Sequence, residues 1–171
     1  MQSWLEAEKK SVCLRVHPES DNWFGSKARA FLRAKGKSAH FASALFYMID
    51  VVRSILLYSW RSVDYVIFVR YLMGTAYLPT PLHTVAYNFF STVVPKSNCM
   101  FFLDVNPEVA VSRMHSRVEV EMFEELGALR KVRVKALALT RFDGWSIVDS
   151  NNSVSDVTLT LKNQLAVLMQ T

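Results

Sequence analysis

Two stretches of this 171-residue chain are apolar almost throughout and then stop: Tyr65–Val69, ended by Arg70, and residues 100–105, apolar but for Asp104 and ended by Asn106 and Pro107. A strand with one wet face alternates apolar and polar residues. A run without alternation predicts a strand covered on both faces, as in a parallel sheet between helical layers. Residues 11–16 and 145–149 are two further short β-leaning runs. Helical spacing fills the intervals: residues 24–35, ending near Gly36; 39–60; a helix started by Pro79 and Pro81 and running to about Val93; 107–117; 119–140; and 153–168, with Val157, Leu161 and Leu165 at four-residue steps. Residues 17–23 and 70–81 read as loops, and residues 1–10 as the tail of a helix. Strands alternating with helices predict an α/β fold, a three-layer parallel sheet with helices on both faces, in a single domain over residues 1–171.

Composition narrows the classes. Hydrophobic residues make up 51% of the chain, which excludes a disordered polymer. The net charge of +5 suits an anionic ligand, and the cations are dispersed instead of blocked, which argues against a nucleic-acid tail. Residues 40–60 are apolar and long enough to span a bilayer. Asp50 and Arg53 lie at the middle of that stretch, each costing about 2.5–3.5 kcal/mol at a bilayer centre. They share a helix face, so a buried helix with one polar face is expected and no membrane partner. Cys13 and Cys99 fall in predicted buried strands, and Glu6, Glu8, Lys9 and Lys10 interrupt any secretory signal. A reduced, cytoplasmic protein follows.

Arg70 ends a buried strand, and in an open parallel sheet the carboxyl ends of the strands hold the ligand. A guanidinium there is a fork for phosphate or carboxylate; an ordinary surface arginine is the alternative. Tyr71 and Tyr77 flank it, as pocket wall or as packing. Asp50 and Arg53 read as a self-satisfying ion pair. Arg113 and Arg117 lie four apart on one helical face, either a pair for phosphoryl oxygens or a solvated face pairing with Glu119 and Glu121. The four histidines show no metal-binding spacing, no Cys-x-x-Cys occurs, and no metal site is expected. The single Gly36-Lys37-Ser38 is no phosphate loop, because Phe31 stands where Gly-x-x-x-x-Gly-Lys needs its first glycine.

Three segments together resemble the thymidylate kinases, most closely their archaeal branch. These are Val69-Arg70-Tyr71 with Ala76-Tyr77; Leu103-Asp104-Val105-Asn106-Pro107-Glu108 followed by Arg113, Arg117, Glu121, Glu124 and Arg133; and His17-Pro18 followed by Gly25, Arg29 and Leu32. Val69 stands where that family has an aspartate. The resemblance implies a P-loop kinase fold whose central first strand and phosphate loop are not among these residues, that is, a kinase-like domain truncated at its N-terminus. It implies transfer of the γ-phosphoryl of ATP to dTMP, giving dTDP, with Mg²⁺, and a nucleotide-binding homodimer. Arg70, Arg113 and Arg117 would be catalytic. His17, Phe46, Asp50, Arg53, Arg70, Tyr71 and Tyr77 would bind substrate, with Phe46 stacking on the base or else packing in the core, and Arg53 one turn late for its family role. His17, where the family usually has glutamate, reads equally as a structural histidine. Catalysis by residues 1–171 alone is expected to be impaired; the alternative is a non-catalytic nucleotide- or partner-binding remnant. With the first strand absent, the strands 65–69 and 100–105 are expected not to pair with each other.

Overall fold

The computed structural model describes residues 1–33, 37–97, 99–114 and 125–168. The chain divides into two compact units, Gln2–Pro95 and a second comprising Met1 and residues 96–171. It is an α/β fold in which every strand pair is parallel.

The first unit runs α1 (Gln2–Ala7), β1 (Val12–Val16), α2 (Trp23–Arg33), α3 (Lys37–Tyr58), β2 (Tyr65–Val69), a 3₁₀ turn (Leu72–Tyr77) and α4 (Leu82–Val93). β1 and β2 pair in parallel from Val12↔Tyr65 to Val16↔Val69. Their entry is fastened by Asp64, whose carboxylate accepts the Ser11 N–H at 2.8 Å and the Ser11 hydroxyl at 2.7 Å. α2 starts where Asn22 caps it, its side-chain oxygen accepting the Gly25 N–H at 3.0 Å. α2 and α3 lie close together at Ala28, which is fully buried and whose carbonyl accepts the Ser43 hydroxyl at 3.2 Å.

The sequence predicts for α3 a buried helix with one polar face; it has such a face, but turned inward, and the helix is buried on one side only. Ser43, Asp50 and Ser54 are buried with Tyr47, Met48, Val51 and Ile55, while Phe41, Leu45, Ile49, Leu56 and Leu57 face outward, followed by Trp60 just beyond the helix. Asp50 and Ser54 face inward and bind the loop after β1, Ser43 binds α2, and an apolar stripe faces out. Its Phe41–Tyr58 window has the length and composition to cross a membrane, and 39% of it is buried inside the protein. The stretch expected as a loop after β2 contains the 3₁₀ turn. Leu72, Thr75 and Ala76 are buried in it, and the Thr75 hydroxyl donates to the Leu72 carbonyl at 2.8 Å. So short an i→i+3 turn leaves no periodicity to read.

The second unit runs β3 (Phe101–Asp104), α5 (Pro107–Met114), α6 (Leu126–Leu139), β4 (Ser146–Asp149) and α7 (Val154–Leu168). β3 and β4 pair in parallel from Phe101↔Ser146 to Asp104↔Asp149. Pro107 occupies the first position of α5, where its missing N–H costs nothing. Ser153 caps α7, accepting the Asp156 N–H at 3.3 Å.

β2 pairs with β1 and β3 with β4; among the described residues no ladder joins β2 to β3. The strands are also barer than their apolar runs predict. Leu14, Val16, Val69, Leu103 and Ile147 all count as exposed. Cys13 lies in β1 but Cys99 precedes β3; both are half-buried free thiols, not buried strand residues as expected.

Candidate functional site

β1 and β2 end level, so the residues that follow them, His17 and Arg70, emerge side by side at one carboxyl edge. The His17 N–H donates to the Val69 carbonyl at 3.2 Å, extending the ladder by one bond. The His17 ring is buried, stacked on Phe68 at 6.1 Å between centroids and edge-on to Tyr47 at 6.5 Å. Its Nδ1 lies 3.0 Å from an oxygen of Asp50, which is fully buried. Asp50 also accepts the Glu19 N–H at 2.8 Å and the Asn22 side-chain amide at 2.7 Å. Burial opposes ionisation of this carboxyl, but the hydrogen bonds from His17, Glu19 and Asn22 outweigh it and hold its pKa below the usual value. Nε2 of His17 is buried with no hydrogen-bond partner among the described residues.

Arg70 adopts a left-handed backbone, φ 59°, a conformation costing about 1–2 kcal/mol in a residue with a Cβ. Its side chain is exposed and has no hydrogen bond or ion pair among the described residues. Tyr47 connects this edge to α3: its hydroxyl donates to the Tyr71 carbonyl at 3.1 Å, and its ring fills the space where a Cβ on Gly74 would stand 2.0 Å away. Burial pushes the Tyr47 phenol far up, while the Arg70 charge acts in the opposite direction. Tyr71 stacks on Phe68 at 5.8 Å and its hydroxyl donates to the Pro95 carbonyl at 2.6 Å. Tyr77 ends the 3₁₀ turn, 42% exposed.

The expected Asp50–Arg53 pair does not form. Arg53 turns to Glu19, 3.8 Å away. Glu19, buried at the start of the loop, also takes the Ser54 hydroxyl at 2.8 Å and a two-pronged contact from Arg15. Phe46 stacks face to face on Phe31, centroids 5.6 Å apart, with Trp23 edge-on at 5.4 Å. It therefore serves an aromatic cluster between α2 and α3 in this structure. Glu19, Asn22 and Tyr47 were not singled out from sequence. Only Asn22, three residues before Gly25 at a helix start, carries a local signal, that of an N-cap.

The second unit has its own carboxyl edge, and it is closed. Arg133 grips Asp104 through two bonds of 2.7 Å. Arg113, expected to meet a phosphoryl group, donates to the carbonyls of Ser150, Asn151 and Asn152 at 2.8 Å each. Asn151 accepts the Asn106 N–H at 2.8 Å and gives its amide to Asp149 at 2.6 Å. Arg117, with Glu119, Glu121 and Glu124, lies outside the described residues. The described residues do not fit a protein-held magnesium. No group of three His, Cys, Asp or Glu side chains gathers among them, and the Asp50 and Asp104 carboxylates are occupied by protein donors.

Comparison with known proteins agrees with this architecture. The chain resembles the probable thymidylate kinases of Pyrobaculum calidifontis, 32% identical over 69 residues, and Pyrobaculum aerophilum, 33% identical over 69 residues. Each match covers 40% of this chain and 36% of the relative, so it spans about a third of the length of those proteins. The fold is that of the thymidylate kinase from Candida albicans, with a TM-score of 0.69 over 98% of this chain and 85% of that one, at 16% identity. The thymidylate kinase family model matches residues 1–160, and the chain belongs to that family.

Proposed function

We propose that this chain contributes the acceptor-nucleotide grip of a phosphotransferase that moves the γ-phosphoryl of ATP to dTMP, giving dTDP. Arg70 carries this reading. It is a guanidinium without a protein partner among the described residues, held in a strained backbone at the carboxyl edge of a parallel pair. Phosphoryl transfer depends on positioning and charge stabilisation, so an arginine placed on the acceptor phosphate suffices as the chain's own contribution. His17 stands beside it, and Tyr77 is the tyrosine we assign to the wall of the sugar pocket. Magnesium would arrive with the phosphates of ATP. We assign the chain to a reducing compartment, the cytoplasm, on the strength of its two free thiols.

Calorimetry on the Arg70→Ala variant tests the assignment. Losing a charge-assisted hydrogen bond weakens dTMP binding by about 1.5–3 kcal/mol and leaves thymidine, which has no phosphate, unaffected. Equal losses for nucleotide and nucleoside reject it.

A second reading, nucleotide binding without transfer, is favoured by Val69 at the position of the family's aspartate and by the commitment of Arg113 to backbone carbonyls. dTMP binding with no ADP released from ATP selects it. We also propose a two-fold homodimer through α3 and α4. Phe41, Leu45, Ile49 and Leu56 on one helix and Val85, Phe89 and Val93 on the other are exposed, and α4 has no charged residue. Sedimentation as a monomer at micromolar concentration rejects the dimer.

A further inference from the structure

The His17 side chain is buried at both nitrogens, yet only one of them is used. Nδ1 is 3.0 Å from Asp50, and Nε2 has no partner among the described residues. A buried polar atom left unmatched is a cost that folding alone does not explain. The ionised Asp50 carboxylate is an acceptor only and also takes the Glu19 N–H and the Asn22 amide, so Nδ1 carries the proton in the bond it shares with Asp50. In the neutral imidazole, protonation at Nδ1 leaves a bare lone pair at Nε2. The two ring nitrogens diverge, so that lone pair is directed away from Asp50. The ring is held through Nδ1 by Asp50, with Phe68 stacked on it and Tyr47 edge-on.

We infer that Asp50 is a positioning residue that locks His17 in the Nδ1–H tautomer, making Nε2 a hydrogen-bond acceptor for a donor group of the nucleotide. This rests on the reading of the β1–β2 carboxyl edge as the nucleotide site. It deepens that reading by assigning polarity. Arg70 takes the anionic end of the ligand, and His17, one residue past the neighbouring strand, takes an O–H or N–H from its nucleoside end. dTMP offers two such donors, the 3′-hydroxyl of the sugar and the imide N–H of the base. The arrangement selects against ligands that present only acceptors there, since two facing lone pairs repel and leave both groups unsatisfied.

The test is ¹⁵N imidazole NMR of the full chain at neutral pH, followed by titration with dTMP. The expected spectrum shows His17 protonated at Nδ1 and bare at Nε2, and dTMP shifts the Nε2 resonance much more than Nδ1. A proton on Nε2 in the free protein overturns the inference, as does an Nε2 resonance that ignores bound dTMP. The 3′-deoxy and N3-methyl analogues of dTMP distinguish the two donors; the analogue that fails to shift Nε2 identifies the group, and shifts with both overturn the donor assignment. Asp50→Asn can offer an amide N–H to Nδ1 and turn the ring to its Nε2–H form. Loss of dTMP affinity by about tenfold, the worth of one hydrogen bond, is expected in Asp50→Asn and in His17→Leu, with partial recovery in His17→Gln. Unchanged affinity in His17→Leu overturns the inference. Failure of the wild-type chain to bind dTMP overturns the ligand role and the nucleotide reading together, whereas the tautomer in the free protein decides the role of Asp50 separately.

Discussion

At the carboxyl edge of β1 and β2, Arg70 is strained and without a partner among the described residues, and one nitrogen of His17 is buried unmatched. At the carboxyl edge of β3 and β4, the corresponding groups are matched by the protein itself: Asp104 by Arg133, Asp149 by Asn151, and Arg113 by three carbonyls. Each pair is parallel within itself, and both edges carry arginines and carboxylates. They differ in whether those groups have found protein partners. Unmatched polar groups held rigidly favour an external ligand; matched ones favour a fixed loop. The first edge is therefore the candidate grip. The second is, in this state, a structural clasp on the loop leading into α7.

The largest expected effect of breaking this contrast lies at Asp50. Asp50→Ala leaves the Glu19 N–H and His17 Nδ1 buried without their acceptor and removes one of two acceptors from the half-buried Asn22 amide. A loss of about 3–5 kcal/mol in urea unfolding is expected; a loss below about 1 kcal/mol would mean that the loop is held by other contacts. A pair of glycines gives the next largest effect, with opposite signs in the two units. Gly74→Ala places a methyl in the Tyr47 ring, and a cost of about 1–3 kcal/mol is expected. Gly127→Ala in α6 meets nothing within 4 Å and should gain about 0.5–1 kcal/mol from helix propensity. Equal signs would contradict the packing described for Tyr47.

Acid sharpens the contrast more gently. Arg15 beside Asp21 is the main cause holding its carboxyl at about 2, below its ordinary 3.8, and Asp50 is likewise lowered. Groups whose folded pKa is depressed stabilise fully above the unfolded value. That contribution is lost as pH falls through the window from the unfolded to the folded value. Stability should decline from about pH 4 towards pH 2, and Asp21→Asn should flatten part of that decline. An unchanged acid limb in the variant would remove Asp21 from the account.

Much of the fold could be read because its signals are local. Tyr65–Val69 is apolar at every position and bounded by Asp64 and Arg70, and Pro107 marks the start of α5. The polar face of α3 could be read from spacing but not that it turns inward, because Asp50 and Ser54 find their partners at His17, Glu19 and Asn22, distant in sequence. At the candidate site, the positions of Arg70 and His17 just after strand ends were legible in the sequence. Asp50 was noticed but given the wrong partner. Arg53 is its helical neighbour, whereas His17 and Asn22 are 33 and 28 residues away in sequence, and only folding reveals them. Arg113 suited a phosphate as well as it suits three carbonyls. Nothing in its spacing distinguishes the two.

The most direct test of the contrast is an amide NMR map of dTMP bound to the full chain. The account predicts shifts concentrated at residues 17–19 and 70–77, with residues 104–106 and 149–152 unmoved. Shifts at 104–106 and 149–152 with none at His17 or Arg70 would contradict it.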